Sequence, residues 1–366
     1  MKKNETVLVA MSGGVDSAVA LLKIIEMGYK AIGVTMKLWE YNNVGGNVLK
    51  ENNCCAIESI NNAKLVCERL EVPHYTIDFT EDFENKVINN FVDEYLSGRT
   101  PNPCVRCNSY VKWDTFINQA DKLGAKYIAT GHYANIEKNN NEYKITRGKD
   151  KGKDQSYVLW GIPKETLSRT ILPLGNLRKR EVRQIAADNK FENAQAPESM
   201  EICFIPDNNY KRFINEYAKD KVEEISKKGT TLNEDGEKIG ENDGFINYTV
   251  GQRKGIGITN PNPLYVKKIS SDKNSITVSE KKSLFSKECK VSNINWLNNK
   301  ITLPLNAYAQ IRYNGQISES KISDNDGSIF VTFEKPQLAV TPGQSIVFYD
   351  EKESLLGGGI IELYES

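Results

Sequence analysis

The chain carries no excess of either charge: 48 Lys and Arg stand against 48 Asp and Glu in 366 residues, for a formal net charge of zero. That argues against a protein that coats nucleic acid nonspecifically, because such binding runs on phosphate neutralisation; a local basic face is still allowed. Long apolar runs are also missing, and none nears the roughly 18 residues that a membrane-spanning helix needs. Met1-Lys2-Lys3-Asn4-Glu5 leads straight into the first apolar run, so no signal peptide, no membrane contact and a cytoplasmic location are expected. Histidine is scarce: His74 and His132 stand singly, which leaves little for the paired ligands of a zinc site. No internal repeat or low-complexity tract is present. The seven cysteines, without a secretory signal, are expected in a reducing compartment, where spaced cysteines serve catalysis or metals more often than disulfides.

What the chain does have is Val7-Leu8-Val9-Ala10 followed at once by Met11-Ser12-Gly13-Gly14-Val15-Asp16-Ser17 and a helical pattern from Ala18 to Met27. Strand, glycine turn, helix aims backbone N–H groups and a helix N-terminus at an anion. Two glycines let the backbone approach closely, and Ser12 and Ser17 add hydroxyl donors. The Walker signature G-x-x-x-x-G-K-S/T is absent for want of its lysine, and the dinucleotide fingerprint for want of its third glycine. The motif resembles the pyrophosphate loop of ATP pyrophosphatases, enzymes that cleave ATP between its α- and β-phosphates and adenylate an oxygen.

Strands and helices alternate through the first part. Strands are expected at Ala31–Met36, Tyr75–Phe79 and Tyr127–Thr130, and helices over Ile57–Leu70 and Phe83–Tyr95. This rhythm predicts an α/β fold with a doubly wound parallel sheet, whose ligands sit beyond the C-terminal strand ends. The loop at Ser12, Met36 and Gly131 all fall at that edge. Asn42–Asn53 reads as a loop, and Asn139–Gly152 as a polar segment with a hairpin near Asn140-Asn141. After Asp207 the character changes, with a helix over Phe213–Lys228 and a hairpin over Gly229–Gly240. From Leu264 short alternating strands at 276–278, 307–312, 329–333 and 345–349 suggest a small C-terminal β-barrel. The expected division is 1–206 as a catalytic domain, 207–270 as a small central domain and 271–366 as the barrel.

Thr100-Pro101-Asn102-Pro103-Cys104-Val105-Arg106-Cys107-Asn108 is the second strong signal, with two prolines rigidifying the approach to a C-x-x-C pair. A further cysteine, Cys203, lies in the strand-like Ile202-Cys203-Phe204-Ile205. From the residues alone three readings of C-x-x-C stay open: a redox dithiol, a structural zinc site, and sulfur chemistry beside an ATP site. Cys67 fits the apolar face of a helix, Cys54-Cys55 follow the Asn-rich loop and read as packing, and Cys289 stands alone in the barrel region. Arg178, Lys179, Arg180 and Arg183 form a basic, helical segment that reads either as phosphate contacts or as a solvated face.

Taken together these motifs, with Ala129-Thr130-Gly131-His132-Tyr133-Ala134, Lys153-Asp154-Gln155-Ser156-Tyr157 and Tyr248-Thr249-Val250-Gly251-Gln252-Arg253-Lys254-Gly255, closely resemble the tRNA-specific 2-thiouridylases, over nearly the whole chain. The resemblance implies a tRNA-uridine 2-sulfurtransferase that adenylates C2 of the wobble uridine and replaces its oxygen by sulfur. It implies that Ala10, Met11, Ser12, Gly13, Gly14, Val15, Asp16 and Ser17 hold the ATP phosphates, with Met36 and Gly131 on the adenosine and Asp16 orienting pyrophosphate and Mg²⁺. Cys203 would carry a persulfide delivered by a donor protein, and Cys107 would be the nucleophile. Asn102, Pro103 and Cys104 would touch the target base, and His132, Lys153, Asp154, Gln155, Arg312, Tyr313 and Gln344 would contact tRNA around its anticodon loop.

One departure from the family pattern matters. Many relatives carry aspartate where this chain has Cys104, and an aspartate there would serve as general acid or base. The third cysteine opens a second route, in which Cys104, Cys107 and Cys203 hold a 4Fe–4S cluster with one iron left open for sulfide. An amidating ligase of the same ATP class, which needs no cysteine pair, and a non-catalytic RNA-binding module are the rival readings.

Overall fold

The computed structural model describes residues 4–39, 57–140, 142–196, 202–225, 228–298 and 300–363. The Asn42–Asn53 loop, Cys54-Cys55 and residues 197–201 lie outside them. Among the described residues no helix is long and apolar enough to cross a membrane.

The chain divides into two compact units, one built from residues 1–87, 104–209 and 352–355, the other from 88–103, 210–351 and 356–366. In the first, five strands form a sheet in the order His74–Asp78, Lys30–Lys37, Thr6–Ala10, Tyr127–Ala129, Thr170–Ile171. Every neighbouring pair is parallel, with Val7 opposite both Ala31 and Tyr127. Val7, Leu8 and Val9 are wholly buried, as a parallel strand covered on both faces requires. One face is packed by the helix Val15–Glu26 through Ala18, Val19, Leu21 and Leu22, together with Val66 and Val182 from the helices Ile57–Arg69 and Lys179–Asp188. The strand order reverses between Thr6–Ala10 and Tyr127–Ala129, so the crevice expected of a doubly wound sheet opens beyond these two strands.

Several expectations shift. The helix expected over Phe83–Tyr95 begins at Thr80 and contains a π-helical stretch, Glu84–Ile88, before continuing to Leu96. A long helical run, not anticipated, spans Pro103–Arg106, a π-helical Cys107–Thr115 and Phe116–Lys122. Pro103 opens it, where its missing N–H costs nothing. Ile202–Ile205 is a turn and not a strand: Ile205 N–H donates to the Ile202 carbonyl at 2.9 Å. Its apolar residues instead plug the core, with Phe204 edge-on to Phe83 at 5.6 Å.

In the second unit, a four-stranded sheet runs Leu264–Ser270, Ser275–Glu280, Gly229–Leu232, Lys238–Asn242. The helix expected over Phe213–Lys228 appears as two, Tyr210–Tyr217 and Lys219–Ile225. The first two strands of the sheet form one hairpin that spans positions 270 and 271, so the shared sheet keeps Ser275–Glu280 with the central segment. Six strands close the barrel: Phe285–Trp296, Ser328–Leu338, Ser318–Asn325, Leu305–Gln310, Ser345–Tyr349 and Leu355–Glu362. Val331, Phe333, Ile346 and Phe348 fill its interior.

Candidate active site

Ser12 to Ser17 turn from strand into helix through an internally bonded loop. Gly13 adopts φ +76° and Gly14 is the extended N-cap of the helix. Ser17 Oγ donates to the Gly14 carbonyl at 2.8 Å and accepts the Ser12 N–H at 3.2 Å. Asn193 Nδ2 donates to the Gly13 carbonyl at 2.7 Å from outside the loop, and Asn193 Oδ1 is buried without a hydrogen-bond partner. The loop is therefore braced by the protein's own hydrogen bonds, with Ser12 exposed at its tip, which is the preorganisation an anion site needs.

Asp16, in the first helical turn, is the hub of the site. Tyr133 Oη donates to its Oδ1 at 2.7 Å, and Lys179 Nζ lies 2.7 Å from both carboxylate oxygens. Lys179 also sits 5.8 Å from the centre of the Tyr133 ring and is itself buried. Of the basic segment, Lys179 alone reaches the loop in this way. Arg183 instead donates to the carbonyls of Ala194 and Ala196, bracing the turn that carries Asn193, while Arg178 and Arg180 are exposed. Gly131 packs against the backbone of Asp16, so the end of strand Tyr127–Ala129 meets the loop directly. Met36 lies near the C-terminal end of its strand, one position across from the loop, where Met11 N–H donates to the Val34 carbonyl at 2.8 Å. The residues expected to hold ATP thus share one sheet edge, joined by Tyr133, Lys179 and Asn193, which sequence reasoning had not assigned to the loop. Only the basic run around Lys179 offered a signal.

Lys153-Asp154-Gln155 belongs to the same network. The buried Asp154 accepts from Arg147 Nε at 2.8 Å, Gly148 N–H at 2.9 Å and Ser156 Oγ at 2.9 Å. Gln155 accepts the Tyr133 N–H at 3.0 Å and returns its own N–H to the Tyr133 carbonyl. Asp154 is thereby a structural clamp whose neighbour fixes Tyr133 against Asp16. His132 is buried, with Nδ1 2.7 Å from Thr130 Oγ1 and its ring 5.6 Å from that of Trp113. Burial, with Lys112 adding to it, holds its pKa well below the ordinary histidine value, so the imidazole is neutral.

Cys104 is exposed at the second position of the helical run and Cys107 is buried at the fifth, so both lie on the face that i, i+3 spacing produces. The first turns of such a run favour negative charge. Arg106, between them, stacks on Tyr110 at 4.6 Å and donates to the Lys86 carbonyl at 2.9 Å. Asn108 Nδ2 donates to the Val158 carbonyl at 3.0 Å, and its Oδ1 is buried with no partner beside Cys107. Cys203 is half-buried in the turn plugged by Phe204, in the same compact unit. Among the described residues no three Cys, His, Asp or Glu side chains converge as a metal-holding group, so the cluster ligation expected of Cys104, Cys107 and Cys203 has no counterpart in the geometry. In the second unit, Gln344 Nε2 donates to the carbonyls of Thr100 and Pro101, immediately before Asn102 and Pro103. Arg312 Nη2 donates to those of Leu338 and Ala339, and Tyr313 is exposed.

The parallel sheet, with its glycine loop at the reversal point, is a nucleotide-binding domain of the HUP class: residues 5–207 match the family model described as "tRNA methyl transferase HUP domain". Residues 211–280 match the "tRNA methyl transferase PRC-barrel domain" and 286–361 the "Aminomethyltransferase beta-barrel domain". Full-length relatives are more specific. The chain is 47% identical over 367 residues to the tRNA-specific 2-thiouridylase MnmA of Amoebophilus asiaticus, covering 99% of this chain and 96% of that one. It is 44% identical to the protein of the same name from Salinibacter ruber (99% and 96% covered) and 44% to that from Halothermothrix orenii (98% and 99%). The chain belongs to the tRNA-specific 2-thiouridylase family.

Proposed function

We propose that this protein is an ATP-dependent tRNA-uridine 2-sulfurtransferase that acts on the wobble uridine of the anticodon loop, in the cytoplasm. The observation that carries the reading is the pairing, within one compact unit, of a braced phosphate loop with Cys107 and Cys203. The chemistry explains why both are needed. The C2 oxygen of uracil is a poor leaving group, and transfer of AMP to it, with release of pyrophosphate, makes it a good one. Exposed Ser12 and the loop N–H groups would bind the phosphates, and the Lys179 ammonium, paired with Asp16 in the first helical turn, supplies positive charge beside them. Mg²⁺, arriving with ATP, would be held through Asp16 and would neutralise phosphate charge.

Sulfur then arrives from a donor protein as a persulfide on Cys203. In one route the Cys107 thiolate attacks the Cys203 sulfur, forms a Cys107–Cys203 disulfide and releases hydrosulfide, which displaces AMP from C2. In the other the terminal persulfide sulfur attacks C2 itself, AMP leaves, and Cys107 resolves the Cys203–S–C2 adduct into the same disulfide. Both end in 2-thiouridine, AMP and an oxidised cysteine pair that a thiol reductant must restore. Methyl transfer, the word in two of the matching model descriptions, requires neither a phosphate loop nor two cysteines. The decisive experiment is mass spectrometry of tRNA nucleosides after incubation with ATP, a persulfide donor and the protein. 2-Thiouridine should appear with the wild type and vanish with Cys107→Ser or Cys203→Ser, while both variants still bind ATP. Thiolation by either serine variant would show that the cysteine it lacks does not carry the sulfur transfer, and would sink the persulfide–disulfide route.

A further inference from the structure

The loop Thr249–Gly257, which precedes the strand Leu264–Ser270, takes no part in the chemistry above, yet it is held by a dense set of hydrogen bonds. Gly251 N–H donates to the Val266 carbonyl at 2.8 Å and Val266 N–H returns to the Gln252 carbonyl at 2.9 Å, so the loop is laced to a strand. The Gln252 side chain closes it from within: Oε1 accepts the Thr249 N–H at 3.1 Å and Nε2 donates to the Lys254 carbonyl at 2.9 Å. Gly251, Gly255 and Gly257 all have φ between 73° and 88°. At the loop's base Thr249 lies beside the phenols of Tyr95 and Tyr210, which stack with centroids 4.8 Å apart, so the loop adjoins the helix Asn89–Leu96. At the tip of this clamp Arg253 and Lys254 are exposed, and among the described residues neither side chain makes a hydrogen bond or ion pair. A rigid loop that holds two cations out to solvent with no internal partner has the form of a polyanion contact. Asp243, the acidic side chain beside Tyr248, is offset by Lys211, which lies over the Tyr248 ring at 5.4 Å.

The loop's neighbours say which polyanion. A Cβ on Gly251 would lie 3.0 Å from Ala339 Cβ and 3.8 Å from Arg312 Nη2, so only glycine lets the loop seat there. Arg312 is itself pinned to the Leu338 and Ala339 carbonyls. Thr341 Oγ1 bonds the Ala339 carbonyl, and Pro342 accepts the Thr100 N–H at 2.9 Å while Gln344 holds Thr100 and Pro101. A chain of packed and hydrogen-bonded residues therefore leads from the loop that carries Arg253 and Lys254 past Arg312 to Thr100 and Pro101, just before Asn102. We infer that Arg253 and Lys254 bind backbone phosphates of the same tRNA whose uridine is thiolated, alongside the contact expected of Arg312 and Tyr313; the inference rests on the function proposed above.

The test is tRNA affinity measured across a salt series, together with thiolation kinetics, for Arg253→Ala/Lys254→Ala and for the charge-preserving Arg253→Lys/Lys254→Arg. Loss of two phosphate contacts should weaken binding roughly tenfold near physiological salt and reduce the slope of log K against log salt by about 1.4–1.8. KM for tRNA should rise, with kcat at saturating tRNA and ATP affinity in its absence unchanged. The charge-preserving pair should match the wild type. Wild-type affinity and slope in the alanine pair would overturn the inference, as would a charge-preserving pair that behaves like the alanine pair. Because tRNA binding is read separately from product, a wild type that binds tRNA but forms no 2-thiouridine would sink the proposed reaction and leave this contact standing.

Discussion

Lys179 places its ammonium 2.7 Å from both carboxylate oxygens of Asp16, although the two lie 163 positions apart in the chain. This pair ties the helix Lys179–Asp188 to the first turn of the loop helix, and in the reaction proposed above the same ammonium would stand beside the ATP phosphates. Lys179→Met removes one preorganised cation and should lower tRNA-dependent pyrophosphate release by roughly 10²–10³-fold, the usual cost of losing such a donor. Lys179→Arg should not restore the rate, because a planar fork does not replace a point charge packed against Tyr133. Pyrophosphate release near the wild-type rate in Lys179→Met would show that the pair is purely structural.

Gly13 allows no side chain. Its φ is +76°, and a Cβ there would lie 2.2 Å from the Ser59 carbonyl oxygen, a backbone atom. Gly13→Ala combines left-handed strain with a backbone clash and should cost about 3 kcal/mol of stability or displace the loop. Either result abolishes ATP binding, which calorimetry would read directly. Gly14, where an added Cβ would meet only the Ser12 hydroxyl, at 3.5 Å, should tolerate alanine far better.

Cys104 separates the two sulfur routes. It is exposed, and the described residues show no three-ligand metal group that includes it. Cys104→Ser should therefore retain at least about a third of wild-type thiolation when a persulfide donor is supplied in air with a chelator present; an iron–sulfur route predicts none. Complete loss of thiolation in this variant, with ATP binding intact, would return the cluster to consideration.

The parallel sheet was legible because a strand buried on both faces leaves an unbroken apolar run such as Val7-Leu8-Val9. The run Pro103–Lys122 was not, because over the π-helical stretch the buried residues crowd at Cys107, Asn108, Ser109, Val111 and Trp113, and no single 3.6-residue stripe holds them. In the barrel, Phe285–Trp296 escaped notice where register shifts at Ser286/Glu288 and Ser292/Asn295 break its alternation. Leu355–Glu362 was hidden by three consecutive glycines. At the site, the loop could be read from adjacent residues. Tyr133, Asn193 and the role of Lys179 could not, since contacts between distant segments leave no local pattern.

Thiol reactivity should sort the cysteines by burial. Desolvation pushes the thiols of Cys67 and Cys289 up to about 12, with Glu68 and Glu288 adding to the effect. Both should resist iodoacetamide at pH 8 in the folded protein, since only the thiolate reacts. Cys104, exposed, should alkylate first. Peptide mapping after timed labelling checks the order, and early modification of Cys67 or Cys289 would contradict it.

Both histidines should make the fold acid-sensitive above the range where carboxylates matter. Burial comes first among the causes that depress His132, with Lys112 second, and burial then Lys64 depress His74 more mildly against an opposing Glu68. A histidine whose folded pKa is depressed takes up its proton more readily unfolded, where the ordinary value is about 6.5. Below that pH the unfolded chain binds a proton that the folded chain refuses, so stability falls as pH drops, by up to about 1.4 kcal/mol per pH unit for each fully depressed group. The depressed carboxylates Glu362, paired with Arg99, and Glu234, bonded to Lys267, start below their ordinary range and lose stability only at lower pH. Urea unfolding at pH 7.5, 6.5 and 5.5 should therefore show a decline that His132→Asn makes shallower, because asparagine keeps a polar group near Thr130 but binds no proton. His74→Asn should flatten it less. Parallel pH profiles for the wild type and His132→Asn would mean that His132 ionises in place, and the neutral imidazole assigned beside Trp113 would be wrong.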